Sequence, residues 1–223
     1  MPPRSAIVVG GTGEIGKAVL ARLRAEGLRA VCASIDVKQE TPEDLRVDVT
    51  DEASVTAMFE KAAQALGSIS LLVNCTGVGV FAPLSELSAD DWRRTIDVNL
   101  TGAFLCTREA FKHMKAHGGG RIIHMGSVSD HLTLVHNAAY AASKHGLRGL
   151  TGVLNEEGKS FSIRATLLSV GAVYTSFWHS RPEFSSADML SVDDVAQTLW
   201  EVAQKPLNVR VDEIRLLPPK GVL

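Results

Sequence analysis

A run of apolar residues, Ala6-Ile7-Val8-Val9, leads with no polar break into Gly10-Gly11-Thr12-Gly13-Glu14-Ile15-Gly16, and no other stretch constrains the fold as tightly. A short apolar run closed by glycine reads as a buried strand over 6–10. Beyond the glycines, Ile15, Val19, Leu20 and Leu23 recur at helical spacing, which predicts a helix over 15–26 with one face against the sheet. Glycine at 10, 13 and 16 allows a sharp turn, close approach of a ligand to the backbone and tight packing of helix on strand. The unpaired N–H groups of the helix N-terminus then face an anion. Gly10, Thr12, Gly13, Glu14, Ile15 and Gly16 are therefore candidate contacts for a dinucleotide cofactor, Glu14 adding negative charge near the nucleotide. A tight turn without a ligand is the alternative that the local sequence leaves open.

The alternation continues along the chain. Gly27 is a helix stop, and a second strand is expected over 29–34. Further strands are expected at 45–47, 70–74, 120–125 and 163–168, with helices at 52–66, 89–117 and 138–158. A helix over 192–204, with Asp193 and Asp194 near its positive end, and a strand over 208–217, ended by Pro218 and Pro219, complete the pattern. Buried strands alternating with amphipathic helices make a mostly parallel sheet covered on both faces. No polar linker or repeat divides residues 1–223, so a single α/β domain is expected. The least regular late stretch, 176–190, is the natural flap over an active site, with Phe177 and Trp178 either lining the pocket or packing into the core.

Composition narrows the partners. The 23 basic and 25 acidic side chains leave a formal charge of −2 without a clustered basic run, so nucleic acid is not an expected partner. Cys32, Cys75 and Cys106 stand far apart with no zinc or CxxC spacing, so neither a disulfide framework nor a metal site is expected. The first residues lack the apolar stretch of a signal peptide and nothing approaches a membrane span. A cytoplasmic setting without membrane attachment is the expectation.

An acidic side chain at the end of the second strand would bind both ribose hydroxyls of NAD and repel the extra phosphate of NADP. Asp36 lies 20 residues beyond Gly16, close to the usual separation, although the strand ends near Ser34 and would leave Asp36 free to point elsewhere. No arginine follows to clamp a 2′-phosphate, and Lys38 is the nearest basic group. NAD(H) is accordingly favoured over NADP(H). Asp48 either meets the adenine, with Val49 beside it, or caps the helix that begins near Asp51.

Tyr140-Ala141-Ala142-Ser143-Lys144 is the most informative stretch for chemistry. Residues four apart share a helix face, so the phenol stands beside the ammonium, whose charge favours the phenolate during proton exchange. Ser127, after the strand-like RIIHMG, can hold a substrate oxygen beside Tyr140. Asn99, in DVNLTG, is a polar group in an apolar helical context: it either distorts the helix and holds a water or satisfies neighbouring backbone groups.

These residues carry a resemblance that spans nearly the whole chain. With GGTGEIG at 10–16, Asp48, NCTG at 74–77, Asn99, Ser127, YAASK at 140–144 and SVGAVYT at 169–175, the sequence resembles the short-chain dehydrogenase/reductase family. The resemblance implies a Rossmann-type three-layer sandwich with a central sheet of about seven strands. It also implies an NAD(P)-dependent oxidoreductase that interconverts a small-molecule alcohol and a carbonyl compound. Tyr140 would then be the general acid or base, Lys144 would hold the nicotinamide ribose, Ser127 would orient the substrate oxygen and Asn99 would support a proton-relay water. Asn74 and Gly77 would shape the strand end at the cofactor, while Gly171, Val173 and Thr175 would lie by the carboxamide. Homodimers or homotetramers through the two long helices are further expected. Glu14 stands where glycine is frequent, Thr76 makes the NCTG segment more polar, Val170 replaces a proline, and Ser34 stands where many NAD-using members carry aspartate. An inactive nucleotide-binding sensor and a reductase of an activated carbon–carbon double bond are the competing functions.

Overall fold

The computed structural model describes residues 3–181 and 183–222, and within them each of the seven predicted strands is present. Chain order is β1 (Ser5–Val9), α1 (Glu14–Ala25), β2 (Arg29–Ser34), β3 (Asp44–Arg46), α2 (Glu52–Leu66), β4 (Leu71–Asn74), α3 (Ala89–Ile96), α4 (Gly102–Ala116), β5 (Gly120–Met125), α5 (Ala138–Glu157), β6 (Ile163–Val170), α6 (Val192–Ala203) and β7 (Glu213–Leu216). The strands form one sheet in the order β3-β2-β1-β4-β5-β6-β7, with every neighbouring pair parallel. A parallel strand must be reached by a crossover, and the helices of those crossovers bury both faces of the sheet. Hence β1, β4 and β5 are buried along their whole length, the polar Arg121 and His124 of β5 included.

On one face α1 and α6 pack Val19, Leu20, Leu23, Val195 and Leu199 against Ala6, Val8 and Val73. On the other, Val55, Met58 and Phe59 of α2 and Leu105 and Met114 of α4 meet Ile7, Leu72 and Ile122. Helix starts follow local chemistry: the Asp51 carboxylate accepts from Ala53 N–H, Ser88 from Asp91 N–H, and Ser191 and Asp194 cap α6 reciprocally.

Two expected elements differ. The strand expected over 208–217 contracts to Glu213–Leu216. Near the start of the expected stretch the Val209 carbonyl is taken by Arg121, a guanidinium buried in β5 that donates to it at 3.1 Å and to the preceding Lys205 carbonyl at 3.2 Å. A carbonyl held by a side chain is not available to a neighbouring strand. The helix expected over 89–117 does run from Ala89 to Ala116, but a π-helical turn at Asp97–Thr101 interrupts it around Asn99. Chain order reverses between β1 and β4, and the cleft outside the carboxyl ends of those strands is where ligands bind in open parallel sheets.

Candidate active site

Each predicted glycine-turn residue stands at that cleft. Gly10 has φ of 78°, and a Cβ there would meet the Thr76 amide nitrogen at 2.8 Å, so both conformation and space demand glycine. Gly16 lets α1 press onto the Gly10 carbonyl. Gly13 is the N-cap of α1 and supplies no side-chain cap, which leaves the first N–H groups of the helix open to an anion. Beside the turn, the Asn74 amide nitrogen and the Thr76 hydroxyl are buried without a protein hydrogen-bond partner. Orphaned buried polar atoms are rare in native structures. Together with the open helix terminus they fit a dinucleotide in the cleft.

β2 ends at Ser34, as its sequence suggests, yet Asp36 turns back toward the glycine turn. Thr12 Oγ1 lies 2.6 Å from Ser34 Oγ and donates to Asp36 Oδ2 at 3.3 Å. Asp48 is occupied locally: its Oδ1 accepts from the main chain and the hydroxyl of Thr50 (2.9 and 2.7 Å). It also lines a cavity of about 300 Å³ with Ile35, Arg46 and Met58 just past the β2 end. Val49 is buried beneath it and packs against Gly102.

The proton-transfer residues converge from three elements. Ser127 follows β5 and opens a 3-10 turn, Val128–Asp130, in which its Oγ accepts from Ser129 N–H at 3.2 Å. Tyr140 and Lys144 lie one turn apart on α5, with Lys144 Nζ 5.4 Å from the Tyr140 ring centre. Lys144 is 4 % exposed and donates to the Met125 carbonyl at 2.8 Å, so the strand end fixes its ammonium without neutralising it. Asn99 accepts from Val78 N–H (2.8 Å) and donates to the Val78 carbonyl (2.8 Å) and to Ser143 Oγ (3.0 Å). Its amide is thus committed to the loop after β4, near Gly77. Burial pushes the thiols of Cys75 and Cys106 up to about 12, so neither offers a thiolate nucleophile.

The sequence profile of short chain dehydrogenases matches residues 4–185, well over half of the chain. The chain belongs to the short-chain dehydrogenase/reductase family. As a short-chain dehydrogenase/reductase it is an NAD(P)-dependent oxidoreductase that acts on a small molecule. A D-threitol dehydrogenase of Mycolicibacterium smegmatis is 34% identical to it over 83% of this chain and 76% of that one. A sepiapterin reductase of Chlorobaculum tepidum is 30% identical over 91% of this chain and 83% of that one. The fold is shared with a serine dehydrogenase from Escherichia coli: the TM-score is 0.87 at 21% identity, over 98% of this chain and 100% of that one. Among the described residues no helix is long and apolar enough to cross a membrane.

In this short-chain dehydrogenase/reductase the segment after β6 closes on the glycine turn. Gly171 and Val173 line its entry, Val173 bridges to Leu190 at its exit, and Thr175 is the N-cap of a 3-10 turn, Ser176–Trp178. Glu14 accepts from Ser176 N–H (2.8 Å) and Oγ (2.6 Å), tying the segment to the start of α1. Those two bonds hold the Glu14 carboxyl below the usual carboxylate range. Phe177 meets Phe81, which in turn meets Tyr140, with ring centres 5.9 and 5.8 Å apart. Phe177 therefore faces the site rather than the core. Trp178 is half-buried against Phe177 and Phe184, its Nε1 donating to the Val173 carbonyl at 2.8 Å. Pro182 of the expected flap lies outside the described residues.

Three contributors escaped the sequence reading. Phe81 carries no periodic signal, since it lies in an irregular loop. Ser143, one turn from Tyr140, matters only because Asn99 reaches it across the fold. Asp130 did carry a signal: Ser127-x-x-Asp130 has the spacing of a capping box.

Proposed function

We propose that the protein interconverts an alcohol and its carbonyl compound, with Tyr140 exchanging the oxygen proton. The observation that carries this reading is the buried Lys144 ammonium beside the Tyr140 ring on α5, together with a serine after β5 whose O–H remains free to donate. A bound nicotinamide supplies hydride exchange with the substrate carbon. Ser127 holds the substrate oxygen. Tyr140 donates its phenolic proton to that oxygen in reduction or receives it in oxidation, and Lys144 stabilises the resulting phenolate. Because the Asn99 amide is already spent, its part in a proton relay falls to the main chain, where the π turn displaces a carbonyl from its helical partner.

NAD(H) is the favoured cofactor. The turn of Asp36 toward Thr12 supports this, because it sets a carboxylate beside the glycine turn, where an adenine ribose would lie and a 2′-phosphate would be repelled. The names of the two relatives, a D-threitol dehydrogenase and a sepiapterin reductase, support oxidoreduction in either direction. Self-association through α4 and α5 is supported by Phe104 and Val153, apolar side chains that stay exposed on those helices. A cytoplasmic location completes the reading.

The test is a screen of polyols, hydroxy acids, ketones and aldehydes, D-threitol included, with both cofactors, followed by Tyr140→Phe on the best substrate. Turnover should fall at least ~10²-fold, the usual scale for acid–base help, while NADH binding measured by fluorescence persists. Near-normal turnover in Tyr140→Phe would remove Tyr140 from the mechanism.

A further inference from the structure

We propose that Asp130 is a positioning residue for Ser127, setting the direction of the serine hydroxyl through the main chain; this rests on the reading of Ser127 as the group that holds the substrate oxygen. The Asp130 carboxylate is 1 % exposed, and burying such a group is costly unless every lone pair is used. Its two oxygens serve two sides. Oδ2 accepts from Ser127 N–H at 3.1 Å and from Ser169 Oγ at 2.5 Å. Oδ1 meets His131 Nδ1 and lies 4.0 Å from the Arg148 guanidinium. Both of those partners also hold Glu213 on β7, at 2.6 and 2.8 Å.

The consequence falls on Ser127. Its N–H is taken by Asp130, its carbonyl accepts from Asp130 N–H at 2.8 Å, and its Oγ accepts from Ser129 N–H. A hydroxyl has one proton and two lone pairs. With the backbone held on both sides and one lone pair spent, the O–H is left to donate, which is what an incoming substrate oxygen needs. Gly126 makes the arrangement possible, because a Cβ there would stand 2.5 Å from Asp130 Oδ2. A reciprocal serine–aspartate cap would steady any such turn. What exceeds that role is the second arm: through Arg148, Asp130 is braced against α5, the helix that carries Tyr140 and Lys144. The serine and the proton donor are thereby referred to one rigid frame.

The experiment is a double-mutant cycle between Asp130 and Ser127, run with NAD+ and the best substrate of the screen above. Asp130→Ala should lower kcat by about ten- to a hundredfold, as when a charge-assisted hydrogen bond that orients a reacting group is lost, with NADH affinity unchanged. Asp130→Asn, which can keep an oxygen toward Ser127 N–H, should recover much of that loss. In a Ser127→Ala background neither substitution should reduce kcat further, since the group it positions is gone. Equal losses with and without Ser127 would overturn the proposal and leave Asp130 a general stabiliser. If Ser127→Ala alone costs nothing, the serine's own role fails first, and hydrogen exchange then decides the positioning. Asp130→Asn or Asp130→Ala, whichever folds with wild-type NADH binding, should speed exchange at the Ser127–His131 turn while β5 stays protected. Unchanged exchange there would reject the proposal without any substrate.

Discussion

His124 should make the fold lose stability in mild acid, by an amount that its surroundings define. The ring is fully buried in β5 between the hydroxyls of Thr107 on α4 and Thr151 on α5, at 2.9 and 2.8 Å. Thr151 already donates to the Leu147 carbonyl, so it must accept from Nδ1–H, and Nε2 then accepts from Thr107. The neutral ring is satisfied as it stands. Burial, aided by the Lys144 charge, depresses its pKa to about 3. The unfolded ring takes up its proton near the ordinary histidine pKa of about 6.5, so below that pH the unfolded state binds the extra proton and stability falls by about 1.4 kcal/mol per pH unit. Between pH 7 and pH 5 the loss comes to about 2 kcal/mol. His113, held down by its own burial and by His117, adds a smaller term of the same sign. The depressed carboxyls of Glu109, Glu156 and Asp194 act only at lower pH. Urea unfolding of the wild type and His124→Gln at pH 7, 6 and 5 isolates the ring. The substitution lowers stability at pH 7, where two hydroxyls lose a fitted partner, but flattens the pH slope by about 2 kcal/mol over the window. Parallel pH dependences in the two proteins would refute the argument.

Asp36→Ala should narrow the gap between NADH and NADPH affinity; a wild-type preference for NADPH in the same titrations would reverse the cofactor assignment. Light scattering should show more than one protomer per particle in the micromolar range, and Phe104→Glu with Val153→Glu should shift it toward monomer. A wild-type monomer throughout would reject the helix-face interface. Glu14→Ala removes the acceptor of both Ser176 bonds, so amide exchange across 174–181 should quicken and KM should rise about three- to tenfold, a modest effect because the site is exposed. The wild-type link holds above the ordinary glutamate pKa and is lost as pH falls through the depressed one, so protection of these amides, taken relative to the slower intrinsic exchange in acid, should fall there.

The sequence profile and the relatives place the chain in its family, and at several positions it departs from the pattern that the resemblance implies. Glu14 in place of glycine does not obstruct the dinucleotide turn, because its side chain is drawn to Ser176. Thr76 leaves a free hydroxyl at the switch point. Val170 in place of proline changes little, since β6 continues through it and pairs it with Leu216.

The amino-acid sequence by itself determined the architecture. Short, largely apolar runs with helical stripes between them point to a covered parallel sheet, and β2, β5 and α2 fall where the pattern sets them. Local spacing was also enough to pair Tyr140 with Lys144, since one helical turn separates them. Contacts across the fold were beyond its reach. Nothing local says that Asn99 spends its amide on Val78 and Ser143, that Asp36 bends back to Thr12, or that Asp130 and Glu213 share His131 and Arg148. Periodicity reports which face of an element is buried, because burial acts on each residue separately. Hydrogen-bond partners are chosen by where separate elements end in space, and only packing of the whole sheet brings those ends together.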